Sequence, residues 1–320
     1  MSKYRHALPQ LGDRFFATDG GLETTLVFHE GLDLPHFASF VLLKHEAGRA
    51  VLRRCLAEYL KLARERGVGI VVESPTWRAS ADWGSKLGYD APALAAANRD
   101  AITELLSLRA EYETAATPVV ISGNLGPRGD GYRPGSRMTV EQAREYHAPQ
   151  IATFAQTQAD MVAAFTMNYV EEAIGIVQAA KAHGMPVAIS FTLETDGRLP
   201  SGDTLRQAIE RTDAETDCYA LYYLINCAHP THFQHVLEQG GAWRDRIRGL
   251  RANASQRSHA ELDASTDLDA GNPHELGAQY REIKRLLPSL TIAGGCCGTD
   301  HRHVDAICAS LEPPRHAAAA

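Results

Sequence analysis

The sequence contains no long hydrophobic run and no run of basic residues. No apolar stretch approaches the ~18 residues that a membrane-spanning helix needs, which predicts a protein that does not enter the membrane. Residues 1–14 lack an apolar core, so we expect no signal peptide and predict a cytoplasmic location. The chain has 32 lysines and arginines against 39 aspartates and glutamates, a net charge of −7. An acidic chain without a basic patch argues against nucleic-acid partners.

Cysteine is also scarce, with only six residues in a chain of 320. This number is too small for a disulfide scaffold, and reduced thiols are expected in a cytoplasmic protein. Cys55, Cys218 and Cys308 lie in or beside helical patterns, and we interpret them as small buried side chains. The other three, Cys227, Cys296 and Cys297, stand in a different context that is described below.

The rest of the composition is that of an ordinary globular protein, because 44% of the residues are hydrophobic and 22% are charged. Short apolar runs alternate with longer amphipathic segments. The predicted strands are Phe15–Asp19, Val68–Glu73, Pro118–Gly123, Asp160–Thr166, Pro186–Phe191, Leu221–Cys227, Ile247–Asn253 and Leu290–Gly294. Helical patterns lie near residues 45–66, 90–114, 139–157, 170–183, 202–213, 231–239, 275–286 and 301–311.

Strict alternation of strands and helices predicts a parallel sheet, and eight such units fill about the length of a (β/α)₈ barrel. Runs such as GIVVE and PVVIS are continuously apolar, as in strands buried on both faces. An open doubly wound sheet is the alternative, but no GxGxxG motif follows the first strand. We therefore predict an α/β fold, a single-domain TIM barrel over residues 1–312, with a disordered tail at 313–320.

Local signals refine this prediction. Thr139 and Gln142 have the spacing of a capping box, and Pro149 is expected to kink or restart the helix that they begin. The polar segment 254–274 reads as a long loop after the seventh strand.

Polar and glycine-rich segments follow several of the predicted strands. In a (β/α)₈ barrel the carboxyl ends of the strands carry the chemistry. We take as candidate substrate-binding residues Asp19, Gly20, Gly21, Glu73, Thr76, Asn226 and Asn253.

The three remaining cysteines are the candidate metal ligands and catalytic residues. Cys227 ends the sixth strand, while Cys296 and Cys297 follow the eighth, so all three should meet at one rim. Zn²⁺ prefers tetrahedral sulfur and nitrogen sites, and a catalytic site keeps one position open. The flanking glycines permit the backbone angles that would turn two adjacent thiols toward one ion. The alternatives are core cysteines or a vicinal disulfide. His229, His301 and His303 are weaker candidate ligands that more simply open surface helices.

The chain resembles the homocysteine S-methyltransferase family of zinc-dependent (β/α)₈ barrels. The resemblance covers roughly residues 13–312 and rests on TDGGLETTL (18–26), SGNLGPRGDGY (122–132), INCAHPTHF (225–233), ANAS (252–255) and GGCCGTDHRHVDAI (294–307). It implies that Cys227, Cys296 and Cys297 are zinc thiolates. It also implies that Asp19 helps to hold the homocysteine amino group and that Asn226 accompanies the first zinc ligand.

Two positions depart from the family pattern. After the fourth strand, the family's Glu-Thr pair is replaced by Phe165-Thr166, so a carboxylate that binds the substrate amine is missing. After the second strand, the chain carries an unusual acid, Glu73. We expect Glu73 and Asp19 together to recognise the ammonium of an amino-acid thiol.

The predicted function is transfer of a methyl group from a sulfonium or ammonium donor to the thiol of homocysteine, giving methionine, with zinc as cofactor. S-methylmethionine, S-adenosylmethionine and betaine all stay open as donors. Trp77, Trp83 and the tyrosines could cradle the donor cation, and the alternative for the two tryptophans is packing within loops. Alternatives are a different acceptor thiol, a zinc hydrolase, and a non-catalytic barrel that binds thiols or metal. The oligomeric state stays open, a homo-oligomer included.

Overall fold

Eight parallel strands form a closed barrel in the computed structural model, which describes residues 1–312. Neighbours along the chain are neighbours in the sheet, and the first strand closes the barrel by pairing with the eighth, with Phe16 opposite Ile292. The predicted TIM barrel is therefore confirmed. The strands are β1 (Phe16–Ala17), β2 (Gly69–Glu73), β3 (Val119–Leu125), β4 (Met161–Met167), β5 (Val187–Thr192), β6 (Tyr223–Asn226), β7 (Ile247–Ala252) and β8 (Ile292–Gly295).

A long helix follows each strand, as the alternating pattern predicts. These helices are α1 (Glu46–Arg66), α2 (Ala91–Tyr112), α3 (Val140–Ala155), α4 (Val170–Ala182), α5 (Leu205–Thr216), α6 (Pro230–Glu238), α7 (Pro273–Leu286) and α8 (His301–Leu311). Short helices at Leu22–Thr24, Ala81–Lys86 and His259–Asp263 lie in the loops after β1, β2 and β7. Within residues 1–312, none of the helices is long and apolar enough to cross a membrane.

Helix α3 shows where local signals succeed and where they fail. The capping box forms as predicted, because Thr139 Oγ1 accepts a hydrogen bond from the Gln142 amide and the Gln142 side chain accepts one from the Thr139 amide. The predicted restart at Pro149 is wrong, since the helix runs unbroken through this residue. His147 and Ile151 are both buried on either side of the proline, so tertiary packing holds the two halves as one helix.

Most strand ends and one loop also differ from prediction, the strand ends by one or two residues. Strands β6 and β7 each end one residue before the predicted limit, at Asn226 and Ala252. Cys227 has φ of +53°, in the left-handed region, and cannot continue a strand. Segment 254–274 is not wholly irregular, because Ser258 caps a short helix within it. The predicted disordered tail, 313–320, lies outside the described residues.

Two apolar layers support the barrel. The larger one lies between the sheet and the helices, and a smaller one fills the interior of the barrel. Side chains two residues apart on a strand face the same side. Glu73 therefore faces the barrel interior like Val71 on β2, and Arg251 faces it from the same side of β7 as Gly249. Polar groups therefore sit directly above the apolar interior, at the end of the barrel where the strands finish.

Candidate active site

The three cysteines singled out by sequence meet at the carboxyl end of the barrel. The Sγ atoms of Cys227, Cys296 and Cys297 all lie within 4.8 Å of one another. Sulfurs that share a tetrahedral zinc ion with Zn–S bonds of about 2.3 Å lie about 3.8 Å apart, so a small rearrangement would suffice to bind the metal. Among residues 1–312, this is the one group of three or more potential metal ligands that is close enough to hold an ion.

The backbone brings the thiols together in two ways. The left-handed conformation of Cys227 turns its side chain back over the mouth of the barrel, and its amide donates to the Arg251 carbonyl at 3.1 Å. Cys296 is held to the end of β7 by a hydrogen bond from its amide to Ala252 O at 2.8 Å. Gly298, with φ of +78°, reverses the chain after Cys297, as the glycine-rich sequence predicts.

The three thiols influence one another electrostatically. Hydrogen bonds from Cys227 and Cys297, together with the nearby charge of Arg251, lower the pKa of Cys296 well below its usual range. The interaction with Cys296 raises the pKa of Cys227, and Cys297 is shifted in the same direction. A bound metal would require all three as thiolates, so its binding must release protons.

Asn226 orients the first cysteine from below. Its Nδ2 donates to Cys227 Sγ at 3.2 Å and to Thr166 Oγ1 at 3.0 Å. Its Oδ1 accepts from the Thr166 amide at 3.0 Å and from Ser190 Oγ at 2.6 Å. The amide is therefore fully engaged, and it links the ends of β4, β5 and β6 beneath the thiol.

Gly20 and Gly21 allow the loop after β1 to approach the cysteine loop. A Cβ at Gly21 would lie 2.5 Å from the carbonyl oxygen of Cys296, and one at Gly20 would lie 2.9 Å from that of Thr299. Neither approach leaves room for a side chain. Both positions therefore require glycine for the two loops to pack together. The Gly21 amide donates to Thr299 O at 3.0 Å.

Asp19 is buried at the site, but its carboxylate already has a partner. Its Oδ1 lies 2.7 Å from Nη2 of Arg251, and both side chains are less than a tenth exposed. Arg251 also donates from Nε to Gly295 O at 3.0 Å and from Nη2 to Gly20 O at 3.2 Å. It therefore joins the loops after β1 and β8 to β7.

Sequence reasoning missed Arg251. The available signal was a charged residue at an inward-facing position of a strand otherwise rich in apolar residues. Its guanidinium carbon lies 4.8 Å from the ring centre of Phe165, the residue that departs from the family's acid.

Glu73 is 4% exposed and faces the interior of the barrel. Burial raises the pKa of Glu73 to about 8, although the charge of Arg251 opposes this shift. Its Oε2 has no hydrogen-bond partner among the described residues. The carboxyl group does not cap the following loop, because the Ser74 amide donates to Ser122 O and the Thr76 amide to Ser74 O.

Thr76 and Asn253 take part in the walls of the site. Thr76 Oγ1 donates to Asn124 O at 2.8 Å, which ties the loop after β2 to β3. Asn253 Nδ2 donates to Cys227 O at 3.1 Å, on the backbone of the cysteine and not on its sulfur.

Tyr132 and His259 cover the cysteines from above, and sequence reasoning assigned them no role. The Tyr132 hydroxyl lies 3.6 Å from Cys297 Sγ, and its ring stacks on His259 with centres 4.0 Å apart. His259 Nε2 lies 2.5 Å from Cys227 O, while Nδ1 lies 3.2 Å from Glu194. Loops after β3 and β7 thus meet over the thiols. The GDGY stretch at residues 129–132 was the sequence feature that could have indicated the role of Tyr132.

The other candidates have partners of their own, and Trp77 Nε1 donates to Phe165 O at 3.3 Å. Trp77 and Trp83 are packing partners of Arg78, whose guanidinium carbon lies 3.9 Å and 3.8 Å from their ring centres. His229 caps the start of α6. Of the other two histidines, His301 pairs with Glu58 and His303 with Asp300.

The fold and the site together define a (β/α)₈-barrel protein with three converging thiols that are suited to binding a soft metal ion. The family model described as homocysteine S-methyltransferase matches residues 17–311. The chain therefore belongs to the homocysteine S-methyltransferase family and is a methyltransferase of that kind.

Solved structures of one enzyme share the fold over nearly the whole chain. The oxidized form of the homocysteine methyltransferase MmuM from Escherichia coli is 19% identical, with a TM-score of 0.73, covering 95% of this chain and 98% of that one. Its metallated form is 18% identical, with a TM-score of 0.71, covering 94% and 98%. No curated protein sequence matches the chain significantly.

Proposed function

We propose that this protein transfers a methyl group from a sulfonium or ammonium donor to the thiol of homocysteine, giving methionine. Cys227, Cys296 and Cys297 would hold a Zn²⁺ ion. The observation that carries this proposal is the convergence of their three sulfurs within 4.8 Å in a member of this methyltransferase family. A closed structural zinc site would have four protein ligands, whereas three leave a position for a substrate thiol.

The metal would supply acidity. A free thiol has a pKa of ~8.5, and coordination to Zn²⁺ makes it a thiolate at neutral pH. Three protein thiolates leave the centre with a net negative charge, which keeps a bound sulfur nucleophilic and attracts a cationic donor.

The protein side chains orient and enclose the reactants. Asn226 holds the Cys227 sulfur through its hydrogen bond, and the stacked rings of Tyr132 and His259 restrict water over the thiols. Gly20 and Gly21 permit the close packing of the cysteine loop, while Thr76 and Asn253 maintain the adjoining loops. We propose that Glu73 receives the ammonium of the acceptor. Asp19 contributes through the arginine with which it is paired.

The transfer itself is a displacement at carbon. A lone pair of the acceptor thiolate forms the new sulfur–methyl bond, while the bond from methyl to the donor's sulfur or nitrogen breaks. That electron pair stays on the donor, which leaves as a neutral sulfide or amine group. No oxidant, reductant or proton is consumed in this step. The proton of the thiol is lost earlier, when the acceptor binds.

The environment of the protein follows from the same chemistry. All six cysteines are free in the structure, and a thiolate site of this kind needs reducing surroundings, which supports a cytoplasmic location. The partners are small molecules, namely homocysteine and the methyl donor.

The proposal is tested by loading the protein with zinc and incubating it with homocysteine and, in turn, S-methylmethionine, S-adenosylmethionine and betaine. Formation of methionine with one zinc per chain is expected. Zinc binding without transfer from any donor would instead favour the non-catalytic alternative, and hydrolysis of the donor without methionine would favour a hydrolase.

A further inference from the structure

Glu73 and Arg251 place an acidic and a basic group inside the same end of the barrel, yet they do not form an ion pair. Glu73 points inward from the end of β2, and Arg251 points inward from β7. Each lies within the other's electrostatic influence, because the charge of Arg251 acts on the Glu73 carboxyl group. The one ion pair that Arg251 makes among the described residues is with Asp19.

Both groups keep an unused polar atom. Oε2 of Glu73 is buried without a hydrogen-bond partner among residues 1–312. The hydrogen bonds of Arg251 come from Nε and Nη2, which leaves Nη1 without a partner among the same residues. A buried polar atom that lacks a partner weakens the folded state. Glu73 Oε2 is such an atom, and Nη1 of Arg251 is a donor left unused in the same site, so the two together indicate a ligand that satisfies both.

The orientation of Arg251 is set by contacts that would persist when a ligand is bound. Asp19 and the carbonyls of Gly20 and Gly295 hold one edge of the guanidinium. The centre of the Phe165 ring lies 4.8 Å from the guanidinium carbon. An acidic side chain at this position would occupy the remaining donors of Arg251, whereas the aromatic ring leaves them free. A planar guanidinium with a free edge is suited to binding a carboxylate.

We propose that Arg251 is a specificity-determining residue that binds the carboxylate of the acceptor, while Glu73 receives its ammonium. The head group of a zwitterionic amino-acid thiol would thus lie between β2 and β7, with its sulfur at the cysteines. Asp19 then serves as a positioning residue for Arg251 and does not contact the amine. This inference rests on the proposed function and names the part of the acceptor that each side chain recognises.

The first test needs no variant. The zinc-loaded protein is titrated calorimetrically with homocysteine, with 3-aminopropanethiol, which lacks the carboxylate, and with 4-mercaptobutyrate, which lacks the amine. A charge-assisted hydrogen bond is worth roughly a 10- to 100-fold change in affinity, so 3-aminopropanethiol should bind weaker than homocysteine by about that factor. Loss of the amine should weaken binding as well. Equal affinity for homocysteine and 3-aminopropanethiol would overturn the role of Arg251.

The second test uses Arg251→Met with Arg248→Met as its matched control. Arg248 lies on the same strand, but its guanidinium donates to Leu11 O and Gly12 O, away from the cysteines. Arg251→Met should remove most of the difference in affinity between homocysteine and 3-aminopropanethiol. Arg248→Met should keep the wild-type difference between the two thiols. Arg251→Lys should recover part of it.

A general collapse of the site is distinguished by the pattern across ligands. If Arg251→Met weakens both thiols equally, the residue has only a structural role and the proposal fails. If none of the three thiols binds the zinc-loaded wild-type protein, the proposed function fails and this inference fails with it. Binding of homocysteine without discrimination against 3-aminopropanethiol overturns the inference alone.

Discussion

Oδ1 of Asp19 lies 2.7 Å from Nη2 of Arg251, and this ion pair is buried at the mouth of the barrel. A carboxylate that neutralises a buried guanidinium is not free to act as the main anchor of an ammonium. The pair therefore supports Glu73, whose Oε2 has no hydrogen-bond partner among the described residues, as the proposed partner of the amine.

Replacing Cys296 with serine should abolish zinc retention and methyl transfer, because the hydroxyl does not supply the thiolate that the ion needs. Metal content after dialysis and methionine formation are the two measurements. Cys218→Ser is the matched control, since Cys218 is remote from the cluster and, contrary to the sequence prediction, exposed. Full transfer by metal-free Cys296→Ser protein would refute the zinc mechanism.

Replacing Asn226 with aspartate should weaken zinc binding by about 10- to 100-fold, as is typical when a partner of a metal ligand is lost. The change removes the donor that lies 3.2 Å from Cys227 Sγ and brings a negative charge beside the thiolate. Competition with a chromogenic chelator gives the affinity. Asn98→Asp is the control, because Asn98 is a buried asparagine that bonds Ala79 O and Leu94 O, away from the cysteines. Equal losses in both variants would point to general destabilisation.

The contribution of Glu73 to the free energy of unfolding should fall as the pH rises from about 4.5 to about 8, because the pKa of Glu73 is about 8 in the folded state against an ordinary 4.5. In this window the folded protein holds a proton that the unfolded chain has lost, so each rise in pH favours unfolding. The slope due to this residue is at most about 1.4 kcal/mol per pH unit. Urea denaturation of Glu73→Gln should lack this contribution, and identical pH slopes in both proteins would contradict it.

Binding of homocysteine to the zinc-loaded protein near neutral pH should release more than one proton. The thiol gives up about one as it meets the metal. The Glu73 carboxyl group gives up part of another, because an ammonium partner stabilises its charged form. Calorimetry in buffers of different ionisation enthalpy measures the number. Glu73→Gln should bring it down to about one, and no dependence on buffer would mean that the thiol does not reach the metal.

Replacing Gly21 with alanine should distort the cysteine loop and lower zinc affinity. The added Cβ would lie 2.4 Å from Thr24 Oγ1 and 2.5 Å from Cys296 O, closer than such atoms approach. Gly12→Ala is the control, since its Cβ would meet nothing closer than 3.6 Å. The thermal unfolding temperature and the zinc affinity should both fall in Gly21→Ala, and both should stay unchanged in Gly12→Ala.

The order of the strands, the closure of the barrel and the meeting of three cysteines follow from the sequence by itself. Continuous apolar runs alternating with helical patterns specify parallel strands, and parallel strands bring their carboxyl ends to one rim. Cys227 and Cys296 could therefore be assigned to the same site although 69 residues separate them in the printed sequence. Gly298 likewise predicted a turn after the cysteines, which its φ of +78° confirms.

Only the tertiary structure decided which polar side chains pair with one another. Asp19 and Arg251 are 232 positions apart in the chain, and an inward-facing arginine on a strand does not specify its partner. The stacking of Tyr132 on His259 depends on how two loops fold over the barrel, where backbone freedom is greatest and local patterns are weakest. Periodicity determines which way a side chain faces. The distances that decide charge pairing and ligand recognition arise only when distant segments pack together.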